Sequence, residues 1–309
     1  MNPTLPVIFL TGPTATGKTD LAATLSDIFP LELVSVDAAQ VYVGMDIGTA
    51  KPSDDFLARY PHHLINIRAP EDTYSAADFV RDALQLISEI HERGNIPVLV
   101  GGTMFYFKAL EHGLSSLPSA SSAVRKEINH DLNQLGVHAL HHQLHKIDPI
   151  IAERIDKNDI QRVQRALEIF KVSGKPPSEL MVQRSGLLQK PIKLTIFSPD
   201  RGQLHDRIAQ RFLEMLEQGL VQEVSSLRER PGFSLTLPSM RTVGYRQVLE
   251  YLAGDVTYEQ LVERGTSATR QLAKRQLTWM RQQSGLVWFE AGGAHQSDAV
   301  VQYLRQRIS

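Results

Sequence analysis

A phosphate-binding loop pattern lies close to the amino end of the chain, between an apolar run at 7–10 and a helical pattern. The pattern G-x-x-x-x-G-K-[ST] is filled by Gly12, Pro13, Thr14, Ala15, Thr16, Gly17, Lys18 and Thr19. In such a loop backbone N–H groups and a helix N-terminus attract an anion, the lysine adds a full charge and the Thr hydroxyl can hold Mg²⁺. The pattern predicts a phosphorylated ligand; a glycine-rich turn that binds nothing is the alternative.

A second candidate for chemistry is Asp37, which follows the apolar run at 33–36. An acid at the end of a strand beside a phosphate loop has two common roles. It binds Mg²⁺, directly or through water, or it acts as general base toward an acceptor substrate. A helix N-cap or a solvated turn is the structural alternative for the same residue.

Two features of nucleotide hydrolases are missing from the sequence. The predicted strand at 96–100 ends in Gly101, Gly102 and Thr103, where these enzymes carry a metal-binding aspartate. The guanine-reading pattern Asn-Lys-x-Asp is also missing, because the segment 157–159 has these residue types in the wrong order. These gaps weigh against a GTPase or a motor ATPase and leave a kinase-like transferase, in which Asp37 faces the acceptor.

Composition is typical of a globular protein of 309 residues, with 42% hydrophobic residues, 22% charged residues and a formal net charge of −1. The charge argues against an overall basic footprint but not against a local basic face. Cysteine is absent, which excludes disulfides, thiolate zinc sites and cysteine nucleophiles. The apolar run at 7–10 is too short to span a bilayer and lacks the basic flank of a signal peptide. We expect a cytoplasmic protein without membrane association.

The first hundred residues alternate β-rich runs with helical stretches. Strands are predicted at 7–10, 33–36, 64–67 and 98–100, and helices at 19–28 and 76–91. This alternation predicts βαβ units and a parallel sheet covered on both faces. We therefore expect an α/β fold, a P-loop NTPase-like parallel sheet flanked by helices, with ligands at the carboxyl ends of the strands.

The strand signal stops between 119 and 191, where the pattern becomes helical, and it returns at 192–197. A long helix at 201–227 and a strand at 287–289 follow. We predict a core domain built from 1–118 and 192–309, interrupted by an all-helical insertion domain at 119–191. Two modules that share one chain twice are free to hinge against each other.

Three basic segments stand out on the nearly neutral chain. The segment 264–281 holds cations and no acid, namely Arg264, Arg270, Lys274, Arg275 and Arg281. The segment 161–168 contains Arg165 and Glu168, which can simply pair with each other. The segment 241–247 places a glycine between two arginines. Together they indicate one positive face for a phosphate backbone; a solvated surface is the alternative.

Four histidines have metal-like helical spacing: His138, His141, His142 and His145. Without cysteine or nearby paired carboxylates, we interpret them as ordinary surface histidines. We interpret Trp279 as a core or interface filler in preference to a base-stacking residue.

Longer motifs give the chain a resemblance to the bacterial tRNA dimethylallyltransferase family, from about residue 7 to residue 290. They are GPTATGKT at 12–19, VDAAQVY at 36–42, GMDIGTAKP at 44–52, YSAADF at 74–79, VGGT at 100–103, QRVQRALE at 161–168 and RQLAKRQ at 270–276. One departure is Ala38, where the family often has Ser.

The resemblance implies transfer of a dimethylallyl group from dimethylallyl diphosphate to N6 of the adenosine 3′ of the anticodon, in tRNAs that read codons beginning with U. The phosphate loop then holds the diphosphate leaving group, with Mg²⁺ on Thr19 as cofactor and Lys18 as a catalytic cation. Asp37 accepts the N6 proton, and Arg207 assists the diphosphate, with Arg211 as a weaker match. The adenosine must be flipped out of its stack to react.

The partners implied are dimethylallyl diphosphate and the anticodon stem-loop of tRNA, the two substrates entering a channel from opposite ends while the insertion domain clamps the stem. We expect a monomer. The residues predicted to contact tRNA, from the resemblance and the basic segments together, are Asp37, Ala38, Ala39, Gln40, Thr103, Arg125, Gln161, Arg162, Arg165, Arg241, Gly244, Arg246, Arg270, Lys274, Arg275 and Arg281. An ATP-dependent small-molecule kinase and a non-catalytic P-loop RNA-binding protein are the alternatives.

Overall fold

A computed structural model describes residues 5–115, 117–118, 121–181, 186–188, 190–292 and 296–308. The chain divides into two compact units, a larger one formed by Met1–Glu111 with Leu188–Ser309 and a smaller one formed by His112–Leu187. Residues 119 and 120, at the predicted start of the insertion, lie outside the described residues.

A parallel sheet organises the larger unit. Its strands are β1 Ile8–Thr11, β2 Leu31–Val36, β3 His62–His63, β4 Ile96–Gly101, β5 Ile192–Phe197 and β6 Leu286–Glu290. They lie in the order β3-β2-β4-β1-β5-β6. The central strand β1 pairs with β4 and β5, so that Ile8 lies opposite both Val98 and Ile192. The predicted parallel α/β sheet is confirmed.

Helices surround this sheet and build the smaller unit. In chain order they are α1 Lys18–Ser26, α2 Asp54–Arg59, α3 Ala76–Glu92, α4 Met104–His112, α5 Ser122–Ile147, α6 Pro149–Arg154, α7 Ile160–Ser173, α8 Pro177–Leu180, α9 Arg201–Glu217, α10 Leu220–Arg228, α11 Tyr245–Leu252, α12 Tyr258–Arg281 and α13 Gln296–Ile308. No helix within the described ranges is long and apolar enough to cross a membrane.

Both faces of the sheet are buried, as the βαβ pattern predicts. Side chains alternate along β1, so that Ile8 and Leu10 pack in one apolar cluster and Phe9 in the other. The first cluster contains α1 and α13 residues, and the second contains residues of α3 and α4. A strand covered on both sides needs a continuous apolar run, which explains why β1 and β4 were recognisable from sequence.

The predicted strand at 64–67 is wrong. Only His62–His63 form a strand here, and Leu64 and Asn66 have φ values of 66° and 55°. Left-handed residues cannot continue an extended strand. The Asn66 N–H donates to the carbonyl oxygen of Gln40, and its side chain accepts from Lys51, so tertiary contacts fix the bend.

The prediction of one continuous helix at 201–227 is also wrong. The segment consists of α9 and α10, separated at Gly219, whose φ of 102° is accessible to glycine at little cost. On α9 the side chains of Leu204, Ile208, Phe212 and Leu216 are buried at helical spacing, which is the periodicity that predicted the helix.

The smaller unit is helical and has its own apolar core, which includes Ile128, Leu140, Leu144 and Val163. Asp148 joins α5, α6 and α8, because its N–H donates to the Leu144 carbonyl oxygen, its Oδ1 accepts the N–H of Ile151 and its Oδ2 accepts the N–H of Ser178. Of the four spaced histidines, His141 is half-buried and its Nε2 lies 3.0 Å from two backbone carbonyl oxygens.

Candidate active site

A cavity of about 1350 Å³ opens in the larger unit, where the carboxyl ends of β2 and β4 and the loop after β1 meet. In parallel α/β sheets this edge is where ligands bind. All of the lining residues belong to the larger unit. They come mainly from the segments 14–20, 35–42, 46–54, 100–105, 208–218, 238–244 and 269–279.

The phosphate loop has the backbone that its glycines predict. Gly17 caps α1 with a φ of 75°, a conformation that other residues rarely adopt. A Cβ on Gly12 would lie 2.5 Å from the carbonyl oxygen of Ile196, so only glycine fits between β1 and β5. The Lys18 Nζ and the Thr16 Oγ1 both donate to the Pro13 carbonyl oxygen, at 2.6 and 2.8 Å.

The environment of Lys18 disfavours its charged form. Burial, and to a smaller extent the positive charge of Arg211, lower its pKa to about 7, while the Asp37 carboxylate acts in the opposite direction. Asp37 acts on Lys18, and Asp20 and Glu214 act on Arg211, yet burial still disfavours both cations, so a bound anion would stabilise their charged forms. This part of the cavity is therefore electrostatically suited to a multiply charged anion.

Asp37 stands immediately after β2 and lines the same cavity. Its Oδ1 accepts the N–H groups of Ala39 at 2.8 Å and Gln40 at 3.3 Å, so the turn aspartate considered as an alternative does form. Within the described residues no hydrogen bond reaches Oδ2. Burial raises the pKa of the carboxyl group, although the two N–H groups and the Lys18 charge oppose the shift. The result is an oriented carboxylate with one available oxygen.

Hydrogen bonds fix the side chains beside Asp37. The Ser35 hydroxyl donates to Gln40 Oε1 at 3.1 Å, and Gln40 Nε2 donates to the Thr49 and Ala50 carbonyl oxygens at 3.3 and 3.4 Å. The Thr103 hydroxyl, just after β4, accepts the Ala38 N–H at 3.1 Å. The segment 37–40 is therefore held at both edges in one conformation.

The GMDIGTAKP motif forms a wall of the cavity, held by Glu223 of α10. The Glu223 carboxylate accepts the N–H groups of residues 46, 47 and 48 at 2.8–3.2 Å and the Tyr245 hydroxyl at 2.5 Å. Lys51, whose side chain is 2% exposed, donates to Asp46, Asn66 and the Tyr42 carbonyl oxygen. Because its carboxylate accepts four hydrogen bonds, Glu223 holds this wall of the cavity in place.

Replacing Glu223 by Ala leaves three backbone N–H groups without their acceptor, each costing on the order of 1–3 kcal/mol when buried. We expect a clear decrease in Tm, measured by calorimetry. Glu223→Gln, which keeps one carbonyl oxygen, should lie between wild type and Ala. Equal Tm values for wild type and Glu223→Ala would show that the wall is held by other contacts.

Gln276 joins the phosphate loop to the end of β4. Its Oε1 accepts the Thr14 N–H, and its Nε2 donates to the Gly102 carbonyl oxygen, both at 3.0 Å. The side chain comes from α12, so this helix is held against the phosphate loop and the end of β4 at once.

The model of the IPP transferase family matches residues 40–283, most of the chain. The chain belongs to the IPP transferase family. The resemblance drawn from the motifs is thereby confirmed.

Two related proteins align with this chain over nearly their whole length and its own. The chain is 54% identical over 286 residues to a tRNA dimethylallyltransferase of Alkalilimnicola ehrlichii, covering 92% of this chain and 90% of that protein. It is 47% identical over 318 residues to tRNA dimethylallyltransferase 2 of Hahella chejuensis, covering 98% of this chain and 96% of that one.

Solved structures agree with the family assignment. The tRNA isopentenylpyrophosphate transferase of Bacillus halodurans is 36% identical with a TM-score of 0.72, over 98% of this chain and 96% of that chain. A eukaryotic dimethylallyltransferase acting on tRNA is 27% identical with a TM-score of 0.75, over 97% of this chain and 77% of that chain.

The cavity of this IPP transferase family member brings many of the predicted site residues together. Those that line it are Thr14, Ala15, Thr16, Gly17, Lys18, Thr19, Asp37, Ala38, Ala39, Gln40, Thr103, Arg241, Gly244 and Arg275. The phosphate loop and the candidate base thus share one space. Their assigned roles stay predictions.

Other predicted residues lie outside the cavity lining: Gly12, Pro13, Arg207, Arg246, Arg270, Lys274 and Arg281. The Nε and Nη2 of Arg207 are buried and have no hydrogen-bond partner among the residues that the structure describes, whereas Arg211, one turn later on α9, does line the cavity. Arg246 pairs with Glu250 at 3.2 Å beside a smaller polar depression.

Arg125, Gln161, Arg162 and Arg165 belong to the smaller unit. Arg125 and Arg165 both pair with Glu168, at 2.8 and 3.4 Å, so the pairing considered from sequence is present. Glu168 itself is buried, which a surface pair would not require. One carboxylate between two guanidinium groups leaves a net positive charge there.

Proposed function

We propose that this chain transfers a dimethylallyl group from dimethylallyl diphosphate to N6 of the adenosine 3′ of the anticodon, in tRNAs that read codons beginning with U, and releases diphosphate. The observation that carries the proposal is the shared cavity of Lys18 and Asp37, a cation for the leaving group and a base for the acceptor. The names of the relatives, tRNA dimethylallyltransferases, support the same reaction.

The phosphate loop and Arg211 bind the diphosphate. Arg211 is preferred over Arg207 because it lines the cavity and its charge acts on Lys18. As the C–O bond of the donor breaks, negative charge grows on the diphosphate oxygen. The two cations lie where this charge develops, and their mutual repulsion is relieved when the anion is present.

The magnesium ion fits a hard oxygen site made by Thr19 and the donor itself. Thr19 lines the cavity, and no cluster of three or more His, Cys, Asp or Glu side chains suited to a metal occurs among the described residues. Mg²⁺ is commonly held by few protein oxygens together with substrate phosphates. When bound, it neutralises charge on the departing diphosphate.

Asp37 takes the proton. The N6 nitrogen of the flipped adenine forms a bond to the allylic carbon, the C–O bond breaks, its electron pair leaves with the diphosphate and the N6 proton passes to Asp37 Oδ2. Because burial raises the pKa of Asp37, it is a stronger base than an exposed aspartate. Gln40 and Thr103, fixed on the same wall, position the base.

The remaining basic residues contact the RNA. Arg125, Gln161, Arg162 and Arg165 of the smaller unit, predicted as an insertion domain at 119–191, bind the anticodon stem. In the larger unit, contacts with the RNA backbone come from Arg241, Gly244, Arg246, Arg270, Lys274, Arg275 and Arg281. Exposure of Arg125, Arg162, Arg241 and Lys274 supports this assignment.

Replacing Lys274 by Ala should weaken tRNA binding and reduce the slope of log K against log salt by about one. The measurement is a binding titration at several salt concentrations. Arg228→Ala, which removes an exposed cation outside the three basic segments, serves as control and should leave the slope unchanged. Equal slopes for wild type and Lys274→Ala would make this residue part of a solvated face.

The reaction is tested by incubating the protein with tRNA and labelled dimethylallyl diphosphate, beside a reaction with labelled ATP. We expect label from the prenyl donor in RNA and no phosphoryl transfer from ATP. Label transferred only from ATP would favour a kinase. RNA binding without either transfer would favour a non-catalytic binding protein.

A further inference from the structure

Two aromatic side chains stand together on the cavity wall. Phe105, near the start of α4, is 50% exposed, and Trp279, near the end of α12, is half-buried. Their ring centroids are 6.5 Å apart with an interplanar angle of 80°. Both residues line the cavity. In a nearly perpendicular pair the edge of one ring points toward one face of the other, so each ring keeps at least one face that its partner does not cover.

Cations accompany both rings. Lys108, one turn after Phe105, is exposed, and its Nζ lies 5.5 Å from the Trp279 ring centroid. Arg275, one turn before Trp279, is exposed and lines the cavity. Exposed rings interleaved with basic side chains are how proteins bind single-stranded RNA, the rings stacking on bases and the cations contacting phosphates.

The two rings are close in sequence to residues that fix the segment beside Asp37. Phe105 follows Thr103 by two residues, and the Thr103 hydroxyl accepts the Ala38 N–H next to Asp37. Trp279 is three residues beyond Gln276, which bonds the Gly102 carbonyl oxygen. A nucleotide adjacent to one seated at Asp37 would therefore meet this aromatic pair.

We infer that Phe105 and Trp279 form a stacking platform for an unpaired base next to the target adenosine. This inference rests on the proposed function and adds a binding residue pair to it. Flipping the target base breaks its stacking with a neighbour. The platform replaces that lost stacking, so the RNA is held while the adenosine occupies the cavity.

The central test compares substitutions at Phe105 in steady-state kinetics with an anticodon stem-loop. Phe105→Ala and Phe105→Leu should raise KM for the RNA about tenfold, the order expected for one stacked base. KM for dimethylallyl diphosphate and kcat should change little. Phe105→Tyr, which keeps a ring, should restore RNA affinity. Leu keeps apolar area without a π face, so it separates stacking from simple packing.

A second readout uses fluorescence. The chain has two tryptophans, so Trp288→Phe leaves Trp279 as the single tryptophan, whose emission is read with excitation that does not excite tyrosine. Adding the stem-loop should quench its emission, whereas dimethylallyl diphosphate alone should not.

The outcomes separate the possible occupants. If KM rises for the prenyl donor and not for RNA, the rings contact the isoprenoid chain and the platform is wrong. If Phe105→Leu behaves as wild type and RNA leaves Trp279 emission unchanged, the aromatic pair is a plain surface or a protein-binding patch. Both results require a wild-type enzyme that modifies tRNA; no modification by wild type would instead contradict the proposed function.

Discussion

Asp37→Asn should lower kcat by about 10²- to 10⁴-fold, the usual contribution of a positioned general base. Asn retains an oxygen that can accept the N–H groups of Ala39 and Gln40, so the local turn is preserved. It cannot take a proton from N6. Because the substitution affects the chemical step, tRNA affinity and the affinity for the prenyl donor should stay within a few-fold of wild type.

Single-turnover kinetics with bound tRNA measures this prediction, and binding titrations provide the control. Asp37→Ala removes the turn as well as the base, so a lower Tm than for Asp37→Asn is expected. A single-turnover rate near that of wild type in Asp37→Asn would remove this residue from proton transfer.

Lys18→Met should lower kcat/KM for the prenyl donor by about 10²- to 10³-fold, comparable to removing one donor that stabilises a developing negative charge. Met has a similar length and no charge, so the loop keeps its packing. Burial lowers the pKa of Lys18, which means that the ammonium is disfavoured in the folded protein without ligand. Tm of the free variant should therefore equal or exceed that of wild type.

Thermal shift with inorganic diphosphate distinguishes a binding defect from a folding defect. Wild type should be stabilised by added diphosphate, and Lys18→Met much less so. A variant with a full diphosphate shift and normal kcat/KM contradicts the role of Lys18.

The pH dependence of kcat/KM for the prenyl donor should have two limbs. On the acid side the rate falls as Asp37 is protonated, with a midpoint above the usual aspartate range because burial raises its pKa. On the alkaline side the free enzyme loses the Lys18 charge near its pKa of about 7. Lys18→Met should lack the alkaline limb. The profile is measured with donor concentrations far below KM, and a flat profile between pH 5 and pH 9 would contradict both assignments.

Local sequence was sufficient to predict those structural features that depend only on residues close together in the chain. The phosphate loop, β1 and β4 were predicted because apolar runs and glycine spacing are local signals. The strand predicted at 64–67 was wrong because the bend at Leu64 and Asn66 depends on contacts with the segment 40–51, which local sequence does not reveal. The break between α9 and α10 lies at Gly219, and a glycine inside a helical pattern is a local signal for such a break. Because the apolar helical pattern continues on both sides of Gly219, the sequence predicted one continuous helix.

Several site residues could not be predicted because their contacts are remote in sequence. Gln276 bonds Thr14, which is 262 positions away, and Glu223 holds a loop 175–177 positions away. Gln276 lies within a recognised motif but had no assigned role. Arg207 and Arg211 are one helical turn apart, so spacing alone could not decide which of them lines the cavity; the structure places Arg211 in the lining.

Mass spectrometry of tRNA nucleosides tests the central claim most directly. It is applied to cells in which this protein is the sole source of the proposed activity. With wild type, adenosine 3′ of the anticodon should carry an added isopentenyl group in tRNAs that read codons beginning with U; with Asp37→Asn, expressed at the same level, it should remain unmodified. Unmodified adenosine in the wild-type cells, or equal modification with both proteins, would contradict the account.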